Sequence, residues 1–324
     1  MQFRGIQKVL FLIVTLSLLS CSMVKSVGIS TTASMLKDGI AETNTEANFS
    51  FFAKAAPANL KMLESLWYVQ QDNLDLLSVL IKGYGGYGFG VSETKYLDDA
   101  LADEEDSKYK KQALYHYSKA FNYGLKYLDE KGISSKSIFD KDAPIKLQKI
   151  LDSNLSEEDM TAIFYFAQSW AAMINLQRDN VVMMSRLGSA KALMDWVCKK
   201  DMSFEYGSCY LFYAAYEAGR PAMLGGSLEK GKKLFEELIQ KYPYNLLARV
   251  AYIQYYIIPT MSEGLYVKES SFLKSEFKKF EGVRNYADKK KTSSNYLKHP
   301  EFNLFNSIAI ERLKTIEKYK KDIF

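Results

Sequence analysis

The sequence is poor in the residues that build most catalytic and metal centres. It has two histidines, His116 and His299, and three cysteines, Cys21, Cys198 and Cys209. Zinc sites need several His or Cys ligands at set spacings, and the chain contains neither H-E-x-x-H nor C-x-x-C. No G-x-S-x-G elbow supports a serine hydrolase. The glycine run Gly83–Gly90 lacks the Lys-Ser/Thr ending of a phosphate loop, and no carboxylate pair is singled out for glycoside hydrolysis. No enzyme activity, cofactor or metal is expected. Charge of one sign is also scarce. The formal net charge is +5, about +3 once Arg4 and Lys8 are counted with a leader, too little for a nucleic-acid face. Strand signals are missing too. No alternating pattern or hairpin turn competes with helix, and the six prolines (57, 144, 221, 243, 259, 300) all fall near expected helix ends.

The longest apolar run, Val9–Leu19, has eleven residues, too short for a bilayer core of about 30 Å. With Arg4 and Lys8 before it and Leu18-Leu19-Ser20-Cys21 after it, residues 1–20 read as a signal peptide. The last four residues resemble the lipobox of bacterial lipoproteins, which implies acylation of Cys21 and a membrane anchor. An ordinary signal peptide with an incidental Cys is the alternative. Residues 21–48, rich in Ser and Thr, read as a tether with a short helix between Ile29 and Ile40.

Residues 49–324 carry the 3.6-residue period almost throughout and form one all-α domain of about ten to twelve helices. Leu60, Leu63, Leu66 and Trp67 mark one stripe, and Leu74, Leu77, Leu80, Ile81 and Tyr84 the next, with Gln71-Asp72-Asn73 as the turn. Glycines repeat through Gly83–Gly90, at roughly 1 kcal/mol each relative to Ala in an exposed helix. That cost points to close helix packing or a cavity wall. The run Asp98–Asp106, six acids in nine residues, reads as a solvated loop. Gly231, Phe235, Leu238 and Pro243 stand at the spacings of a tetratricopeptide helix, and Ala113, Tyr117 and Ala120 echo them. The expected architecture is therefore stacked helical hairpins, a tetratricopeptide-like solenoid enclosing a pore or groove. Its connection through Gly225-Gly226 is longer than a standard repeat turn. Cys198 and Cys209 lie nearly equidistant from the turn at 200–203. A disulfide is conceivable there, but helices 8–10 Å apart usually hold their Cα atoms too far apart for one. The pairing stays open.

Taken in order, Cys21, Ala55-Ala-Pro-Ala-Asn-Leu-Lys-Met-Leu-Glu-Ser-Leu66, Gln71-Asp-Asn-Leu-Asp-Leu-Leu77, Lys82-Gly-Tyr-Gly-Gly-Tyr87 and the tail Leu304-Phe-Asn-Ser-Ile-Ala309 resemble one family over nearly the whole mature chain. It is the tetratricopeptide-containing lipoprotein, or T component, of TRAP (tripartite ATP-independent periplasmic) transporters. The resemblance implies a non-enzymatic accessory lipoprotein, anchored in the periplasm to the inner or outer membrane. It would work beside a solute-binding subunit and a membrane permease and bind or relay a small hydrophobic or carboxylate ligand. It leaves a homo-oligomer open. Tyr84, Tyr87, Gly225 and Gly226 are the candidate pore, ligand or partner residues. The alternative is an envelope scaffold that holds protein partners in a helical-repeat groove.

Overall fold

Every element of the computed structural model, which describes residues 23–284 and 294–324, is helix or connecting turn. The leader and Cys21 lie outside the described residues. Residues 23–39 form a helix (α1), longer than the short one expected, and a 3-10 turn follows at Ile40–Thr45. Next come α2 (Phe49–Val69) and α3 (Leu74–Tyr87), whose cap side chains, Asn48 and Asn73, accept from Phe51 N and Leu76 N. Each cap satisfies an amide that a helix start leaves free. α3 passes through a π-helical turn, Gly88–Ser92, into α4 (Glu93–Leu101), and α5 (Lys108–Glu130) is capped by Ser107.

Two shorter helices, α6 (Ser135–Phe139) and α7 (Ala143–Asn154), lead to α8 (Met160–Leu176), which begins behind the Ser156/Asp159 capping box. After α9 (Val181–Met184) and α10 (Leu187–Lys200), the pair α11 (Phe204–Ala218) and α12 (Leu228–Lys241) makes the central hairpin. The chain ends with α13 (Leu246–Tyr252), a second π-helical turn at Ile253–Ile257, then α14 (Glu263–Arg284), α15 (Ser294–Lys298), α16 (Asn303–Lys318) and α17 (Lys320–Ile323).

Small residues set the closest helix crossings. A Cβ on Gly231 of α12 would stand 2.9 Å from the Ala218 amide of α11, and one on Gly124 of α5 would stand 2.2 Å from the Phe166 ring of α8. Ala113, Tyr117 and Ala120 are fully buried on α5. One large core lies among α2, α3, α5, α7, α8 and α10, and a second around α13, α14 and α16. Phe49 and Phe52 of α2 pack against both.

Hairpins are therefore present, but α16 departs from an open stack. It packs against α13 and α14 and also against α2, α4 and the Ile40–Thr45 turn. Asn303 Nδ2 donates to Thr45 O at 2.9 Å across 258 residues of sequence. The C-terminal helix thus closes the body onto its beginning, and the helices surround a central space.

One local feature differs from the sequence reading and two go beyond it. Pro57 lies inside α2 and not near its end, because the residues on both sides carry an apolar stripe strong enough to continue the helix. Glu205, Tyr206 and Gly207 are left-handed, with φ of 47°, 57° and 84°. Cys198 and Cys209 are bonded, with Cα atoms 5.7 Å apart. Interhelical spacing of 8–10 Å applies along packed helix axes. Near a tight connection the two chains converge, so the bridge is reached.

Candidate functional site

The encircled space is a cavity of about 1200 Å³. α1, α2, α3, α8, α11, α13 and α16 all contribute to its wall. The lining is dominated by carbon: Phe52, Phe89, Phe164 and Phe305 face it, as do Leu60 and Ile308. Gly83 and Gly86 of α3 also line it, and a Cβ on Gly86 would meet nothing within 4 Å. Missing side chains there leave room, so the glycine run serves as a cavity wall on one face. On another face it gives close contact, where a Cβ on Gly88 would stand 2.8 Å from the Tyr117 ring.

A buried polar cluster backs the wall at Glu93 and Tyr117. Arg312 of α16, 1 % exposed, bridges the two π-helical turns. Its Nη2 donates to Phe89 O at 2.6 Å, its Nη1 to Gln254 Oε1 at 3.3 Å and its Nε to Thr94 Oγ1 at 3.0 Å. π-helical turns are rare and leave backbone out of the regular ladder; here a buried guanidinium uses one of the freed carbonyls. Glu93, which lines the cavity, stands 3.8 Å from Arg312 Nη2, an ion pair without a close hydrogen bond. Burial pushes the Glu93 carboxyl up, with Arg312 and then Tyr117 opposing it. Burial, reinforced by Glu93, likewise pushes the Tyr117 hydroxyl well up, so it stays a protonated donor. Tyr117 contributes to the same wall but its hydroxyl is sealed from the cavity; it interacts with Glu93 without a hydrogen bond of normal geometry and has no other partner. Burial and Glu93 push the neighbouring Tyr255 up to about 12. Gln168 Oε1 and Asn245 Oδ1 are two more buried, unpartnered acceptors on cavity-lining residues.

A second charged pair stands where the left-handed turn meets the cavity. Lys82 Nζ donates to Glu205 Oε1 at 2.6 Å, with both side chains mostly buried. Tyr206 sets its ring edge-on to Phe302 and Phe305. A smaller pocket of about 320 Å³ shares Asn44, Lys82 and Tyr206 with the main one. Lys82 and Tyr206 therefore stand between the two spaces, and the Cys198–Cys209 bond spans the segment that carries the turn.

The residues singled out from sequence fall in different places. Tyr87 lines the cavity and donates to Ala53 O at 3.0 Å. Tyr84 lies behind it, stacks on His116 and donates to Glu64 Oε1 at 2.8 Å. His116 is held by Ser92 Oγ at 2.8 Å. Gly225, with φ of +81°, and Gly226 form the turn between α11 and α12, beside Gly219, Arg220 and Pro221 at the cavity edge. A Cβ on Gly226 would collide with Arg220 O at 2.0 Å, so the close approach requires glycine. Glu93 and Arg312 escaped the sequence reading. A signal for Arg312 existed: it interrupts the apolar series Leu304, Ile308 and Ile316 at the i+4 positions of one helix face.

A family model described as TRAP transporter T-component matches residues 45–270. No curated protein matches the chain. The matched span is well over half the chain and contains the cavity wall from α2 to α13, and the chain belongs to that family.

Proposed function

We propose that this TRAP transporter T-component binds or relays a small ligand in its central cavity, held at a bacterial envelope membrane by an acylated Cys21. Its general role as an accessory subunit, working with other TRAP subunits, follows from the family. The finer reading adds a periplasmic location and two partners, a solute-binding subunit and a membrane permease. The observation that carries it is the cavity of about 1200 Å³, walled by helices from both ends of the chain. Small-molecule sites are typically concave, mainly apolar and supplied with a few placed polar groups, a description that suits this lining.

The leader supports the anchor, and among the described residues no helix is long and apolar enough to cross a membrane. Tyr87 is then a wall residue, Tyr84 its support, and the Gly225-Gly226 turn a rim that meets the solute-binding subunit. The test is to purify the protein in mild buffer with its genomic neighbours co-expressed, and to analyse both the partner proteins and the solvent-extractable small molecules. Recovery of a solute-binding subunit together with a stoichiometric small molecule is expected. Capture of envelope proteins with no small molecule, and no thermal shift with any amphiphile, would replace this reading with that of a scaffold.

A further inference from the structure

Met35 of α1 and Phe51 and Met62 of α2 line the cavity, and they are also 68, 63 and 54 % exposed. Side chains that belong both to the lining and to the outer surface mark an opening, and this one has an apolar lip. The apolar character continues outward along both helices. Phe51, Ala55, Ala58 and Met62 follow one face of α2 at the i, i+4, i+7 and i+11 positions, and Val24 and Val27 of α1 are exposed as well. Exposed apolar surface of this extent usually marks an interaction site.

The cavity also reaches the surface at a place of different chemistry. Arg178 and Asp179, past the end of α8, are exposed lining residues, and Arg220, past the end of α11, lines the cavity with them. α11 starts where Glu205 pairs with Lys82, next to the Gly83 on which Leu60 of α2 packs. The 15 residues of α11, about 20 Å of helix, separate that level from Arg220. One opening is apolar and the other is charged.

We propose that the α1–α2 face sits on an anionic phospholipid surface, so that the apolar mouth of the cavity opens at the bilayer. The proposal rests on the reading of Cys21 as acylated. What selects a membrane over a protein partner is the chain that leads into the face. Cys21 stands two residues before Met23, where α1 begins, and two residues reach no more than about 7 Å. α1 is no loose tether. Ala33 is fully buried, Lys37 Nζ donates to Asp75 Oδ1 at 2.8 Å and Ser30 Oγ to Gln70 Oε1 at 3.3 Å. An acyl anchor at Cys21 therefore holds the body itself against the lipid, with this face foremost.

Charge agrees with that placement. Interfacial helices combine an exposed apolar stripe with Lys beside it, and Lys25, Lys54 and Lys61 are exposed on α1 and α2, Lys61 also pairing with Glu64. Glu42, an exposed acid on the lining, lies in the turn beyond α1. A ligand with an apolar body would then pass between lipid and cavity through the Met35–Met62 lip, and the charged opening would face the aqueous partner.

The experiment places the full mature protein, purified from membranes, in vesicles of three parts phosphatidylcholine to one part phosphatidylglycerol, with ordinary or brominated acyl chains, and reads tryptophan emission. Phe51→Trp and Met62→Trp are each compared with Met223→Trp, a 91 % exposed position between α11 and α12. Trp67, Trp170 and Trp196 give the background common to all three. Brominated lipid should quench the added emission of the first two variants and spare that of the third, because an interfacial side chain lies about 5–10 Å into the headgroup–acyl boundary. Aqueous iodide should give the reverse order. Vesicle-bound protein in which positions 51 and 62 resist brominated lipid and stay open to iodide would overturn the proposal and leave the anchor standing. Protection from iodide that rises with protein concentration in the absence of vesicles would assign the face to a second copy of the chain instead. A mature protein that carries no acyl chain and does not float with vesicles would overturn the anchor reading and this one together.

Discussion

Tyr87 Oη donates to Ala53 O at 3.0 Å, and Ala53 is the residue whose carbonyl loses its helical partner to Pro57 four positions on. The proline inside α2 is therefore repaired from α3, by a residue of the cavity wall. This couples the two helices through one hydrogen bond and holds the Tyr87 ring in place. Tyr87→Phe should cost about 1–2 kcal/mol, the range for a half-buried carbonyl left unpaired. In the Pro57→Ala background the amide returns and the same change should cost less than half as much. Urea unfolding of the four-member cycle measures the coupling, and additive effects would show that the two residues act independently.

Glu64 predicts how the protein responds to acid. Burial raises its affinity for a proton, but hydrogen bonds from Lys119, Lys61, Tyr123 and Tyr84 outweigh this and hold the carboxyl at about 2 against an ordinary 4.5. A carboxyl depressed in the folded state contributes stability that is fully present above 4.5 and is lost as pH falls toward 2. The unaltered protein should therefore lose stability steeply across that window, and Glu64→Gln should flatten the slope there while lowering stability at neutral pH. Urea midpoints between pH 6 and pH 2 give the comparison. Equal slopes in the two proteins would mean that Glu64 is not the group responsible.

The Cys198–Cys209 bond closes a loop with a sequence separation of 11, for which the chain-entropy model gives about 3 kcal/mol. The loop also holds the left-handed residues Glu205 and Tyr206, each of which costs about 1–2 kcal/mol outside glycine. Reductant should lower the melting temperature, and alkylation should label both cysteines only after reduction. A double Cys→Ser variant should also bind ligand more weakly, because Tyr206 and Glu205, the partner of Lys82, sit on the segment it releases.

The parts of this structure that were legible in the sequence are those set by short-range periodicity. The Leu74–Tyr84 stripe, the Gln71–Asn73 turn and the Ser156 capping box are local signals, and each corresponds to its element. Tyr87 was within reach because aromatic residues alternating with glycine on a helix suggest a wall. Arg312 and Glu93 were not, because their meeting depends on α16 folding back across more than 200 residues, and no spacing rule encodes that closure. The π-helical turns were hidden for a related reason. Phe89 O is taken up by Arg312 from the far end of the chain, so the turn at Gly88–Ser92 depends on a tertiary contact as much as on its own residues. Pro57 shows the opposite error, in which a rule about single helices yields to a hydrogen bond supplied by a neighbour.

Gly86 separates the cavity's role in binding from its role in folding. It lies in the last turn of α3, lines the cavity, and a Cβ there would touch nothing within 4 Å. Gly86→Ala should therefore stabilise by about 0.5–1 kcal/mol, since glycine is unfavourable within a helix and no steric penalty offsets the gain. Gly124→Ala provides the contrast: its Cβ would sit 2.2 Å from the Phe166 ring, and the change should destabilise by about 1–3 kcal/mol. Gly86→Leu then projects a side chain into free space. If the cavity holds the ligand, this variant should keep its melting temperature, within a few degrees, and lose most amphiphile binding. Binding at full strength in a folded Gly86→Leu protein would place the ligand elsewhere on the molecule.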